Sequence, residues 1–145
     1  MTEFVLDLGE DPVARARFRG LDLFTQQHIT ALFYTEQSEL DGLTFCDLAP
    51  ETLDELIADC AAFQAQNSQS LYAAALADSN CDDERAGRDF WYTRTGCGCG
   101  FDDGDWPAPY AKFLTEASRN HGWPEVYVGD DRRIYLVSNK GQAAA

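Results

Sequence analysis

The chain has 145 residues, 45% of them hydrophobic and 12% aromatic, which is enough to bury the core of one domain. Its formal net charge of -14 creates a field that repels the phosphates of nucleic acids and of anionic membranes. The sequence contains no run of about 18 apolar residues, the length needed to span a membrane. The acidic N-terminal segment lacks the basic-then-apolar order of a signal peptide. We therefore expect a cytoplasmic protein that does not bind nucleic acid or membranes directly.

The N-terminal half is predicted to be mostly helical. Residues 3–8 alternate weakly and predict a short strand, and residues 15–19, where arginines alternate with Ala and Phe, are interpreted as a solvated connection. Apolar residues at helical spacing over residues 21–37 predict a core helix with His28 on its packed face. A second helix is predicted to begin at Pro50, because proline suits the first helical position and acidic residues follow it in the first turns.

The C-terminal half is predicted to combine helices with a small sheet. Shorter helices are expected over residues 71–79 and 82–96, the second ended by a left-handed glycine. The glycines and small cysteines of residues 97–101 predict a strand with close backbone approach. A further helix over residues 107–120 precedes residues 125–137, whose alternation around Gly-Asp-Asp predicts a β-hairpin.

The expected fold class is α+β, with about four helices packed on a small antiparallel sheet that ends in the C-terminal hairpin. Residues 1–20 are predicted to be an N-terminal strand or arm, residues 21–137 a single domain, and residues 138–145 a flexible tail. The helix over residues 107–120 is expected to bury Tyr110, Phe113, Leu114 and Ala117.

The acidic residues are unevenly distributed along the chain. Residues 36–59 contain eight carboxylates and no Lys or Arg. We expect this segment to be exposed and to engage the basic surface of a host protein or of a nucleic-acid-binding complex, because complementary fields steer association. The predicted partner-binding residues are Glu36, Glu39, Asp41, Asp47, Glu51, Asp54, Glu55 and Asp59.

The segment over residues 88–106 is unusual, and its cysteines suggest a metal site as one interpretation. The chain has five cysteines, an odd number without framework-like spacing, which favours reduced thiols. A Cys3His zinc site formed by Cys81, Cys97, Cys99 and His121 is weakly supported, because paired zinc ligands are usually two to four residues apart. The carboxylates of residues 102–105 lack the order of a calcium-binding loop. No metal or cofactor is predicted.

Catalysis is the minority hypothesis. The chain has two histidines and no nucleophile elbow, zinc-protease, P-loop or dinucleotide-binding fingerprint. Asp89 and Arg94 form either a ligand clamp or, as we favour, a structural pair that pins the helix end against the glycine-rich strand. The alternative to a binding protein is a small enzyme or a ligand- or metal-binding domain centred on Asp89, Arg94, Cys97 and Cys99.

Two stretches, AGRDFWYTRTGCGCGFDDGDW and EVYVGDDRRIYL, resemble a group of small, uncharacterised bacteriophage and prophage proteins. Their pattern is roughly A-G-H-D-F-W-x-T-R-N-G-H-G-x-G-F, and the resemblance covers about residues 25–137. Arg88 and Cys97 stand where that group often has histidine. The shared motif, which we interpret as structural with a ligand role as the second hypothesis, consists of Asp89, Phe90, Trp91, Thr93, Arg94, Gly96, Gly98, Gly100 and Phe101.

The resemblance implies a phage context and no particular reaction. Together with the charge, it leads to the hypothesis of a non-enzymatic acidic protein, made by a phage or mobile element, that binds and modulates a host protein. In its sharpest form this is an anti-defence inhibitor, of the anti-CRISPR or anti-restriction kind, that mimics the charge of nucleic acid. A structural or virion-associated role is a further alternative.

Overall fold

The computed structural model describes residues 4–96 and 99–139, apart from the side chains of residues 138 and 139. Within these residues the chain forms six α-helices, a short 3-10 turn at Phe45–Asp47 and one two-stranded antiparallel sheet. The α+β class is confirmed, whereas the expected number of about four helices is too low. The helices are α1 Pro12–Arg19, α2 Leu23–Thr35, α3 Pro50–Gln66, α4 Ser68–Ala77, α5 Asp83–Thr95 and α6 Tyr110–Asn120, and the strands are β1 Trp123–Val128 and β2 Ile134–Asn139.

The helix ends follow local signals in the sequence. Asp22 caps α2 by accepting a hydrogen bond from the backbone N–H of Thr25 at 2.8 Å, and Asp82 caps α5 in the same way. Pro50 occupies the first turn of α3, as predicted. Gly96 ends α5 with a φ of 71°, in the left-handed region that favours glycine.

The N-terminal segment differs from the prediction. Residues 4–8, the described part of the predicted strand, pair with no other strand, although the backbone N–H of Phe45 donates to the carbonyl of Asp7 at 3.0 Å. The side chains of Phe4, Leu6 and Leu8 pack against the core instead, whereas Val5 is exposed. Residues 15–19 are also not a connection, because they belong to α1, whose Phe18 ring packs edge-on against Phe45 at 5.1 Å between ring centroids.

The core consists of two hydrophobic clusters joined by α5. The first is mainly aliphatic and includes Leu32, Leu56 and Trp91. The second is aromatic and includes the fully buried Phe90 and Phe63, whose rings stack at 4.1 Å. Helix α5 contributes to both clusters, and it also packs along α2 and against α6. The first part of the unusual segment over residues 88–106 therefore belongs to α5, the central helix of the fold.

The C-terminal hairpin is confirmed. Strands β1 and β2 pair in an antiparallel register that sets Val126 opposite Leu136 and Val128 opposite Ile134. Ile134 is fully buried, and its carbonyl accepts a hydrogen bond from the backbone N–H of Ala49 at 3.1 Å. These contacts tie the hairpin to the segment that leads into α3.

Two predictions about the C-terminal half are wrong. Residues 99–101 belong to no strand, and residues 97 and 98 lie outside the described part of the chain. Instead, Phe101 donates its backbone N–H to Thr93 Oγ1 at 3.0 Å, and a Cβ on Gly100 would overlap that hydroxyl. The glycine therefore allows a loop to fold onto α5. Phe113 is 49% exposed because α6 turns this side chain away from the core.

Among the described residues, no helix combines the length and apolar character needed to cross a bilayer.

Candidate functional site

The charged centre of the molecule is Arg94, which is fully buried at the end of α5. Its Nη2 donates to Asp59 Oδ2 on α3 at 3.0 Å, and its Nη1 lies 3.2 Å from His28 Nε2 on α2. Its guanidinium carbon lies 5.0 Å from the centroid of the Phe90 ring. Arg94 therefore links three helices through polar contacts inside the core.

The contacts of His28 assign its tautomer. Its Nδ1 lies 3.2 Å from the carbonyl oxygen of Gly87, which can only accept, so Nδ1 carries the proton. Its Nε2 must then accept from Arg94 Nη1, since a guanidinium can only donate. Burial and the nearby charge of Arg94 lower the pKa of His28 well below its usual value, so the imidazole is neutral. Its core position agrees with the sequence-based expectation.

Asp59 is a correction to the predicted acidic segment. We expected it to be exposed and to contact a partner, but it is 3% exposed and faces Arg94. The physical reason is its place on α3: it follows the fully buried Leu56 by three residues, so it shares the inward face of the helix. A buried carboxylate requires a nearby cation, and α5 supplies it.

The predicted pairing of Asp89 with Arg94 is also wrong. Five residues separate them on α5, so they point in different directions around a helix of 3.6 residues per turn. Asp89 Oδ2 instead accepts from Trp106 Nε1 at 2.6 Å and lies 3.8 Å from Arg85 Nε. Burial raises the pKa of Asp89 to about 6, and the hydrogen bond from Trp106 opposes that rise.

Apart from Gly96, which is exposed at the end of α5, the other described motif residues also take part in packing or hydrogen bonding within the core. Trp91 is fully buried and donates its Nε1–H to Thr35 Oγ1 at 2.9 Å. Phe101 packs edge-on against Trp106, with 4.9 Å between ring centroids. Gly98 lies outside the described residues. The motif thus corresponds to the packing of α5 against α2, α3 and the loop that follows it.

The cysteines do not form one group in the structure. Cys46, Cys60 and Cys81 are free thiols, and burial raises the pKa of Cys60. Cys99 is disulfide-bonded, so the prediction that all cysteines are reduced is wrong for this residue. Cys97 lies outside the described part of the chain. Among the described residues, no three His, Cys, Asp or Glu side chains are grouped as a metal site would require.

The predicted acidic segment keeps only part of its charge on the open surface. Glu39, Asp41 and Glu51 are exposed. Asp54 is also exposed, but it pairs with Arg17 at 2.9 Å between Oδ1 and Nη2. Asp47 closes a capping box with Thr44. Of the remaining members, Glu36 is half-buried and Asp59 is fully buried. Burial and the nearby Glu39 raise the pKa of Glu36.

A second acidic surface, which we name the acidic rim, was missed in the sequence. It combines the loop before α5 and the first turn of α5 with the loop after the helix. The two parts meet where Arg85 Nη2, in that first turn, contacts Asp105 Oδ2 at 2.7 Å. Cys81 Sγ also donates to the carbonyl of Asp105 at 3.6 Å. The two acidic runs are some twenty residues apart, so only the fold reveals that they adjoin. The rim consists of Asp78, Asp82, Asp83, Glu84, Asp102, Asp103 and Asp105.

A cleft of about 480 Å³ lies between α3 and α6. Its polar lining comes from Asp59, Gln66, Asn67, Asn120 and His121, and alanines form the remaining wall. The His121 ring packs edge-on against Phe63 and Phe90, which fixes its place at the cleft floor. The cleft therefore offers hydrogen-bonding groups next to the buried carboxylate of Asp59, which is already paired with Arg94.

Comparison of the chain with protein-family models, with curated proteins and with solved structures found no match. Its function must therefore be inferred from charge and geometry.

Proposed function

We propose that this chain is a non-enzymatic acidic binding protein that engages a basic surface of a host protein in the host cytoplasm. One observation carries the proposal: among the carboxylates that the structure describes, only Asp59 and Asp89 are buried. Most of the negative charge therefore faces solvent, where it accelerates encounters with a basic surface and repels nucleic acids.

In its sharpest form the proposal is an anti-defence inhibitor that occupies the surface where a nuclease or a CRISPR-type complex holds nucleic acid. Such surfaces are basic because they neutralise phosphates. Two separate surfaces of this chain, the acidic rim and the exposed residues Glu39, Asp41 and Glu51, present carboxylates that cations of such a partner would contact. The resemblance to phage proteins supplies the biological setting.

The alternative, a small enzyme or a ligand- or metal-binding domain centred on Asp89, Arg94, Cys97 and Cys99, has less support at the first two of these residues. Arg94 is sealed inside the core by Asp59 and His28, and the oxygen of Asp89 that faces Trp106 already accepts a hydrogen bond of 2.6 Å. Arg94 and one oxygen of Asp89 are therefore already engaged within the protein.

The proposal is tested by affinity capture from a bacterial lysate with this protein as bait, at low and at high salt. We expect a captured protein that binds duplex DNA or RNA and that is released both by high salt and by added duplex DNA. Competition by DNA matters because it shows that the acidic protein and the nucleic acid share one surface. A partner that stays bound in the presence of saturating DNA would contradict mimicry, and the absence of any salt-sensitive basic partner would contradict the proposed function.

Two variants of equal charge serve as matched controls for each other. One neutralises three exposed residues of the acidic rim, Asp83→Asn, Glu84→Gln and Asp103→Asn. The other neutralises three exposed residues of the predicted acidic segment, Glu39→Gln, Asp41→Asn and Glu51→Gln. Specific recognition requires the two variants to differ in affinity, whereas a response to net charge alone would weaken both equally.

A further inference from the structure

Helix α4 presents large apolar side chains to solvent. Tyr72 is 69% exposed and Leu76 is 71% exposed, and Ala74 alone among the residues of this helix is fully buried. Tyr72 and Leu76 are four residues apart, so they lie side by side on one face, with alanines around them. Single exposed apolar side chains are ordinary, but two that adjoin on one helix face make that face a candidate site of interaction.

This apolar face leads directly into the acidic rim. Asp78, the first member of the rim, caps the C-terminal end of α4, two residues after Leu76. The exposed Asp82, Asp83 and Glu84 follow further along the chain. Arg85 holds the loop after α5 near them through its contact with Asp105. The exposed apolar side chains of α4 and the acidic rim are thus consecutive along the chain, with Asp78 between them.

We propose that the outer face of α4 and the acidic rim together form a docking surface for a basic amphipathic helix of the partner protein. This inference rests on the proposed function and specifies the chemistry of the partner. The helix would place two apolar residues, one turn apart, against Tyr72 and Leu76. Its lysines or arginines would lie beyond them, opposite the carboxylates of the rim.

The charge of the rim also decides against a second copy of this chain as the occupant. Pairing two α4 faces would bring two acidic rims together, and each chain carries a formal net charge of -14. Like charges oppose association, and two basic residues that contact the rim, Arg85 and Arg119, are already paired with its Asp105 and Asp102. A basic amphipathic helix complements both the apolar part and the acidic part of the surface.

The direct test uses synthetic peptides as probes, with binding followed by fluorescence anisotropy. The first peptide contains leucine and lysine in a pattern that forms an apolar helical face, with leucines every three to four residues. The second has the same composition in an order that forms no such face. The third has glutamate in place of lysine. We expect the first peptide to bind at least about tenfold more tightly than the second, and the third not to bind.

The variants locate the contact on the chain. We expect Tyr72→Ser with Leu76→Ser to weaken binding of the first peptide at least about tenfold, because it removes the apolar half of the surface. Val13→Ser, at a residue of α1 that is 76% exposed, is the matched control and should bind as the parent does. The rim variant Asp83→Asn, Glu84→Gln and Asp103→Asn should flatten the dependence of affinity on salt. The variant Glu39→Gln, Asp41→Asn and Glu51→Gln should keep that dependence.

Each contrary outcome has a distinct meaning. Equal binding of the two leucine–lysine peptides, or equal loss in the two charge variants, would overturn the docking surface. If the captured host partner still binds the Tyr72→Ser, Leu76→Ser variant in that case, the proposed function stands without the docking surface. Failure of any basic partner to be captured would instead count against the proposed function itself. Self-association of the parent that the α4 variant abolishes would show that a second copy covers this face and would overturn the inference.

Discussion

Arg94 and Asp59 form an ion pair inside the core, with 3.0 Å between Nη2 and Oδ2 and almost no exposed surface on either side chain. A second pair, Arg17 and Asp54, has nearly the same separation, 2.9 Å, but both of its side chains are about half exposed or more. The two pairs therefore share one geometry and differ in solvation. Water screens the second pair, whereas the first must be held together by its own attraction and by hydrogen bonds.

We expect Arg94→Met to lower the free energy of unfolding by about 3–5 kcal/mol, because it removes the guanidinium from a buried carboxylate and a donor from His28. Arg17→Met is the matched control and should cost less than about 1 kcal/mol. Urea denaturation followed by circular dichroism measures both values. Similar losses in the two variants would contradict the structural role of the buried pair.

The aromatic cluster gives a second expectation. Phe90 is fully buried between Phe63, His28 and the Arg94 guanidinium, so Phe90→Ala should cost about 3–5 kcal/mol. Phe113→Ala removes the same ring from a site that is 49% exposed, and its effect on the free energy of unfolding should be several-fold smaller. Thermal denaturation of the two variants separates the cases. A Phe90→Ala variant as stable as the parent would remove the packing role of this motif residue.

The contact between α5 and α2 gives a third expectation. Gly87 lies so close to α2 that a Cβ at this position would overlap the carbonyl oxygen of Phe24. Gly87→Ala must therefore push the two helices apart, and we expect it to cost about 1–3 kcal/mol. Gly20→Ala is the control, because a Cβ there would meet its nearest neighbour at an ordinary 3.5 Å. Equal urea midpoints for the two variants would show that the close approach is not required.

The sequence predicts those features of the fold that depend on neighbouring residues. The start of α3 at Pro50, the end of α5 at Gly96 and the C-terminal hairpin follow from local backbone chemistry. Features that depend on distant residues were missed. The inward position of Asp59 is stabilised by Arg94, 35 residues further along the chain, and pattern alone interprets a lone aspartate on a helix as exposed.

The candidate site divides in the same way. The acidic segment was visible as a run of carboxylates, but its loss of Asp59 to the core was not. The acidic rim depends on two parts of the chain that are distant in sequence and are joined by the contacts of Arg85 and Cys81 with Asp105. The close backbone approach predicted for the glycine-rich stretch is confirmed at Gly100. Whether the approach belonged to a strand or to a loop folded on α5 depended on the hydrogen bond between Phe101 and Thr93.

The last expectation concerns pH and Asp89. Burial raises the pKa of Asp89 in the folded protein to about 6, from a usual value of about 4 in the unfolded chain. Between these two values the folded protein binds a proton that the unfolded chain has released. The contribution of Asp89 to stability is therefore fully present below about pH 4 and is lost as the pH rises through 6.

Asp89→Asn isolates this contribution, because the amide oxygen of asparagine can still accept the hydrogen bond from Trp106 Nε1 but does not ionise. We expect the free energy of unfolding of the variant, minus that of the parent, to increase by about 1–3 kcal/mol between pH 4 and pH 7 and to level off above it. Urea denaturation at a series of pH values measures this difference, in which the titration of all other carboxylates largely cancels. A difference that stays constant over this range would show that Asp89 titrates alike in the folded and unfolded chains. A difference that decreases with pH would mean that the contacts with Trp106 and Arg85 stabilise the carboxylate more than burial destabilises it.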